Sequence, residues 1–253
     1  MIKIKTNEEV ELIAKACRLT AQTFAYIEKF IKPGVSTKFL DMEAERFIVM
    51  SGGVPAFKGY KNYPATICAS INDEVVHSIP SPDKVLKEGD NVSIDIGVCF
   101  NNFYGDMAKT YLVGNAKENN KMLVKVTEEA LYYTISKIKA GEKLSSICKA
   151  TEEYALKFGF NVIKGYVGHG IGHQLHEDPQ VPNYWRGGGI GFNELILQPN
   201  MVIAIEPMLV EGTDQTITDA DGWTVRTKDG KLAAHFEHTV LITETGYKIL
   251  TQV

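Results

Sequence analysis

Apolar residues along this chain follow two different periods. From Thr6, "TNEEVELIAKACRLTAQTFAYIEKFIKPG" repeats them at helical spacing. Thr6 and Glu9 carry the signature of a capped helix start, and Pro33-Gly34 supplies a stop. "KENNKMLVKVTEEALYYTISKIKAGEKL" does the same from Lys117 to Ala140-Gly141. A shorter helix is expected after each, over "STKFLDMEAERFIVMSG" and "LSSICKATEEYALKFG". Elsewhere the period falls to two. "NVSIDIGVCFNNFYGDMAKTY" predicts a hairpin turning at Asn101-Asn102, and "MVIAIEPM" and "AAHFEHTVLIT" predict further strands. Loops are expected at Ser51–Pro55, Ile79–Asp83 and Trp185–Asn193, the last a glycine-rich surface loop containing Gly187–Gly189.

These patterns echo one another. "FIKPG" matches "KIKAG", with Gly141 standing 107 residues after Gly34. "LKEGDNVSIDIG" matches "LQPNMVIAIEPM", with Glu206 standing 111 residues after Asp95. Matches in one order at nearly one offset point to an internal duplication. The expectation is an α+β fold of two pseudo-symmetric halves, about 1–115 and 116–253, forming a single catalytic domain with no N-terminal extension.

Phase within the strands locates the acids. If Asn101-Asn102 is the turn, Gly97 faces Asp106, and Asp95 shares that face. The two aspartates are then diagonal neighbours, roughly 7–8 Å apart at the backbone. Val92, Ile94 and Ile96 point the other way, into a core. Glu206 stands opposite in phase to Ile203 and Ile205, at a strand end set by Pro207, and Glu237 stands opposite to Phe236 and Val240. Four carboxylates at interior-looking positions are costly unless a cation joins them. "GYVGHGIGHQLHEDPQ" adds imidazoles on a backbone that glycine lets approach an ion closely. Four carboxylates and a histidine suit Mn, Fe(II), Co or Zn, and five ligands suit two metals rather than one.

Composition narrows the class without naming an activity. The 253 residues are 44% hydrophobic and 23% charged, with a net charge of −4. That is ordinary for a globular protein and gives no pull toward nucleic acid or membrane. No run approaches 18 or so consecutive apolar residues, and the start shows no signal peptide. Cys17, Cys68, Cys99 and Cys148 form no CxxC pair, so reduced thiols in a cytoplasmic protein are expected.

At "GYKNYPATICASINDEVVHSIP", "GDNVSIDIG", "YGDMAKTYLVG", "GYVGHGIGHQLHEDPQVPNY", "IAIEPM" and "DGWTVRTKDGKLAAHFEHTVLIT" the chain resembles the methionine aminopeptidases of the first type. The resemblance covers essentially the whole chain. It implies the pita-bread fold, a curved antiparallel sheet covered by helices, and removal of N-terminal methionine from peptides and nascent chains with a small second residue. It implies metal ligands at Asp95, Asp106, His169, Glu206 and Glu237, with Asp106 and Glu237 bridging two ions. Asp95 then holds one ion, and His169 and Glu206 the other. A hydroxide shared by the metals is expected to attack the scissile carbonyl. Glu206 serves as base and acid, His176 stabilises the oxyanion, and His77 contacts the substrate amide.

For the methionine side chain the resemblance implies a pocket of Phe57, Tyr60, Tyr63, Cys68, Leu175 and Trp223. Many members carry Cys and Phe where Phe57 and Leu175 stand, which alters the expected pocket shape. The resemblance also admits a monovalent cation on backbone carbonyls near Asn72, Glu74 and Ala233, and transient contact with the ribosome. His173 is left as a loop residue, and a monomer is expected. Two other readings stay open: an Xaa-Pro dipeptidase-like enzyme, whose relatives usually carry an additional N-terminal domain, and a non-catalytic peptide-binding protein of the same fold, whose relatives lose ligands.

Overall fold

The computed structural model describes residues 2–185 and 195–252. The Gly187–Gly189 segment, and most of the expected loop around it, lies outside the described residues. Helix α1 spans Asn7–Ile27, its first turn closed by the reciprocal Thr6–Glu9 capping box that the sequence signals. It ends before Pro33: Glu28–Phe30 tightens into a 3-10 turn, a common way to finish a helix. Helix α2 spans Thr37–Met50, with the Ser36 hydroxyl accepting from the Phe39 N–H. Helices α3 (Glu118–Ile135) and α4 (Leu144–Lys157) follow later in the chain. Helix α3 stops short of Gly141. There the Ser136 hydroxyl donates to the Tyr133 carbonyl, competing with continued helix.

Strands β1 (Ile67–Ile71), β2 (Asn91–Phe100), β3 (Phe103–Leu112), β4 (Gly168–Gly170), β5 (Glu177–Val181), β6 (Val202–Ile205) and β7 (Glu237–Ile242) belong to one antiparallel sheet. Its order runs β2-β3-β7-β6-β4-β5, and β1 also pairs with β2. The turn between β2 and β3 is Asn101-Asn102, both left-handed, with φ of 52° and 63°. That is the primed geometry favoured by a two-residue hairpin loop. Val54–Pro55, expected to lie wholly in a loop, adds a short edge strand against Val98 and Cys99. Proline costs no ladder bond at a sheet edge.

Helices cover one face of this sheet in two pairs. Leu19, Ile27, Leu40 and Ile48 of α1 and α2 pack with Val92, Ile94 and Ile96. Leu123, Ile135, Ile147 and Cys148 of α3 and α4 pack with Ile203, Ile205 and Val240. Each burial removes apolar surface at about 25 cal/mol per Å². The alternate residues of the same strands face the opposite side, where the acids stand. Among the described residues no helix is long and apolar enough to cross a membrane.

Candidate metal centre and adjoining pocket

Strand register builds the acidic cluster. Gly97 faces Asp106, and Asp95 faces Ala108, as the two-residue turn dictates. Ala108 in turn faces Glu237 across the β3–β7 ladder. One small residue therefore separates Asp95 from Glu237, and Asp106 shares its face two positions back. Across the next ladder His238 pairs with Ile205, which brings Glu206, one residue past β6, beside Glu237. Thr239 clips β3 to β7: its hydroxyl donates to the Asp106 carbonyl at 2.8 Å and accepts from the Asp106 N–H at 3.2 Å.

His169 enters from β4, the strand beside β6. Its flanking glycines answer to close backbone approach. A Cβ on Gly168 would lie 2.3 Å from the Ala204 carbonyl oxygen, and one on Gly170 2.1 Å from that of Asp178. The imidazole Nδ1 bonds the Gly170 carbonyl at 2.9 Å. That bond puts the proton on Nδ1 and leaves the Nε2 lone pair free. Nε2 lies 3.6 Å from Glu206 Oε1 and 3.9 Å from Asp106 Oδ2. Asp106, His169 and Glu237 each offer a ligand atom within 4.8 Å of the others.

The chemistry of this donor set fits a divalent cation. Asp95 Oδ1 and Glu237 Oε1 are buried with no hydrogen-bond partner. Burial raises the Asp106 carboxyl to about 7, even though the Met107 N–H favours its charged form. Asp95, Glu206 and Glu237 are also pushed well above the carboxylate range, first by burial and then by the Asp106 charge. Burial lowers His169 to about 4, so its imidazole is neutral and able to ligate. A cluster of this kind carries its charges at neutral pH when a cation compensates them.

The acids form one wall of a cavity of about 180 Å³. All thirteen residues expected at the site line it: Asp95, Asp106, His169, Glu206 and Glu237, the histidines His77 and His176, and the pocket residues Phe57, Tyr60, Tyr63, Cys68, Leu175 and Trp223. Cys68 joins the two walls, because it faces Asp95 across the β1–β2 ladder. Tyr63 packs edge-on to Trp223 at 5.0 Å, and its hydroxyl is held by the carbonyls of Ile67 and Ser78. Tyr60 stacks on His176 and bonds its Nδ1 at 2.9 Å. His77 is left-handed at φ 59°, a strained state for histidine, and meets Tyr166 edge-on. Burial first, and the Lys61 charge second, hold His77 down at about 4.

Three neighbours escaped the sequence reading. Lys61 lines the cavity, and no periodicity marks it. Tyr166 sits in the "GYVGHG" stretch, where the glycines and histidines carry the signal and an aromatic carries none. His235 is 2% exposed, with an unpartnered Nε2 3.9 Å from Glu206 Oε2. Its place two residues before Glu237 in a period-of-two stretch was the available signal, although His235 ends one strand and Glu237 begins the next. His173, expected only as a loop residue, bonds Glu9 at 2.6 Å and packs on Phe103. Asn72 and Ala233 are joined by the Ala233 N–H to Asn72 carbonyl bond. The Glu74 carboxylate is tied up by Arg226, Lys84 and Ser78.

Comparison with known proteins agrees with this construction. Methionine aminopeptidase 1 of Bacillus subtilis is 50% identical over 253 residues, covering all of both chains. The crystal structure of a methionine aminopeptidase from Thermotoga maritima matches with a TM-score of 0.96 at 44% identity, again over both whole chains. A prolidase from Pyrococcus furiosus shares the pita-bread fold with a TM-score of 0.78 at 26% identity, over 99% of this chain and 65% of that one. The family model described as "Metallopeptidase family M24" matches residues 11–244. A buried cluster of acids and one histidine, on a sheet shared with such relatives, has one consistent assignment: the chain belongs to metallopeptidase family M24, among its methionine aminopeptidases.

Proposed function

We propose that this chain removes the N-terminal methionine from peptides and nascent proteins whose second residue is small. The observation that carries this reading is the single cavity with an acidic wall and an apolar wall joined at Cys68 and Asp95. A methionine side chain packed against Phe57, Tyr63, Cys68 and Trp223 brings its free α-amine and its carbonyl to the acids. Soft and aromatic walls suit a flexible thioether.

In this reading Asp95, Asp106, His169, Glu206 and Glu237 would hold two divalent ions of Mn, Fe(II), Co or Zn. Such ions supply Lewis-acid activation of water at neutral pH. Glu206, at a strand end beside the cavity, accepts the proton of the attacking water and returns it to the leaving amine. Nδ1 of His176 is bonded by the Tyr60 hydroxyl; with that hydroxyl as the donor, the ring carries its proton on Nε2 and gives it to the carbonyl oxygen as charge develops there. His77, fixed by its left-handed backbone, contacts the amide of the second residue.

The reading extends to one catalytic domain over 1–253, duplicated at about 115/116, and to a cytoplasmic monomer that meets chains at the ribosome. It includes a monovalent cation near Asn72, Glu74 and Ala233, where the Asn72 and Ala233 carbonyls each keep a second lone pair beyond one hydrogen bond.

The experiment is a peptide panel under one restored metal: Met-Ala-Ser, Met-Leu-Ser, Leu-Ala-Ser and Ala-Pro. Met-Ala-Ser should be cut far faster than Met-Leu-Ser, with Leu-Ala-Ser slow, since one methylene in such a pocket discriminates by only about 10–200-fold. Ala-Pro as the best substrate would favour a prolidase-like activity. No cleavage with metal bound would favour a peptide-binding role.

A further inference from the structure

The methionine cavity continues into a second hollow of about 530 Å³, and Lys61, His169 and His176 line both. A chain whose first residue fills the cavity therefore lays its later residues along this hollow. Its charged walls are Lys3, Lys61, Glu177 and Asp178. Glu177 is already matched, because its carboxylate pairs with the buried Lys5 ammonium and accepts from the Gln174 N–H. Lys61 alone among these four borders the cavity as well.

The backbone that carries Lys61 is fixed by its turn. It is left-handed, at φ 47° and ψ 31°, and Asn62 follows at φ 71°. Two successive non-glycine residues in that region are costly and persist only where the surroundings impose them. Here the turn is closed by the Gly59 N–H to the Tyr63 carbonyl at 2.8 Å and by the Tyr63 N–H to the Tyr60 carbonyl at 2.9 Å. The ammonium stands 5.4 Å from the centre of the Tyr60 ring, whose hydroxyl bonds His176. A positive charge thus stands where the two hollows meet.

We propose that Lys61 reads the charge of the residues beyond the small second one, favouring aspartate or glutamate at the third and fourth positions of a methionine-initiated chain. The proposal rests on the methionine-excision reading above. Lys61 is exposed, so its preference is that of a solvent-facing ion pair, about two- to fivefold, and it weakens as salt rises.

The test uses peptides amidated at the C-terminus, so that no terminal carboxylate competes: Met-Ala-Asp-Asp, Met-Ala-Lys-Lys and Met-Ala-Ser-Ser. The readout is the kcat/KM ratio of the Asp peptide to the Lys peptide within each variant, so a general loss of activity cancels. The metal-loaded wild type should favour the Asp peptide by two- to fivefold at low salt, with the preference fading at high salt. Lys61→Asn, which tolerates the left-handed backbone, should bring the ratio near one, and Lys61→Glu should invert it. A wild-type ratio of one, or a ratio unchanged in both variants, overturns the proposal. Failure of the enzyme to cut even the Ser peptide would instead sink the methionine-excision reading, and this proposal with it.

Discussion

Replacing Asp106 by Asn should stabilise the metal-free protein and weaken the metal-loaded one. Asp106 is 3% exposed, and its carboxylate accepts one N–H, from Met107. Burial lifts its carboxyl from an ordinary 3.8 to about 7. At about 1.4 kcal/mol per pH unit, holding it ionised in the metal-free fold costs on the order of 4 kcal/mol. The unfolded chain gives up this proton near 3.8, whereas the fold retains it to about 7. Its contribution is therefore fully favourable below the unfolded value and is lost as pH rises through 7. Asn keeps the shape, carries no charge, and gives up a contact worth ~1 kcal/mol. Thermal unfolding with chelator at pH 8 should find Asp106→Asn more stable by roughly 3 kcal/mol, or about 6–12 °C for a chain of this size. At pH 5 the gap should shrink to about 1 kcal/mol or less, because wild-type Asp106 is then mostly protonated. With Mn(II) at 100 times its Kd, wild type should gain about 2.7 kcal/mol that the variant lacks. Metal-free Asp106→Asn melting below wild type at pH 8 would show that Asp106 carries no unfavourable buried charge.

Other consequences are as direct. His176→Ala should lower kcat by roughly 10²–10³, as loss of an oxyanion donor does, while bound metal measured by mass spectrometry stays unchanged; a normal kcat would remove His176 from the mechanism. Gly170→Ala forces a Cβ to within 2.1 Å of the Asp178 carbonyl oxygen, so it should cost about 1–3 kcal/mol by denaturant titration and weaken metal binding by shifting His169; an unaltered midpoint would show that the strand yields. Since the acids must lose protons to bind a cation, metal affinity measured by calorimetry should fall steeply from pH 8 to pH 6, with protons released on binding; a flat profile would contradict the raised carboxyl values.

Much of the site was legible because the signals are local. A two-residue Asn-Asn turn fixes register, and register fixes which side chains share a face, so the letters alone make Asp95 and Asp106 diagonal neighbours on one face. The Thr6–Glu9 box and the strand phases of Glu206 and Glu237 were of the same kind. Non-local geometry was not legible. Nothing in a period of two says that β3 pairs with β7, the ladder that carries Glu237 past Ala108. Lys61 was missed because its place depends on a left-handed turn in a stretch with no repeating pattern. The true end of α3 depended on one hydroxyl outcompeting the helix at Ser136.

Under the proposed function Asp95, Asp106, His169, Glu206 and Glu237 together hold a pair of divalent ions that act on a methionine-initiated chain. The decisive experiment is anaerobic titration of chelated, dialysed protein with Fe(II) or Mn(II), following bound metal and Met-Ala-Ser cleavage in the same sample. No cleavage is expected before addition, and a plateau of activity is expected as binding saturates at two ions per chain. Full cleavage by the metal-stripped protein, or saturation at a single ion, would rule out a paired-ion site.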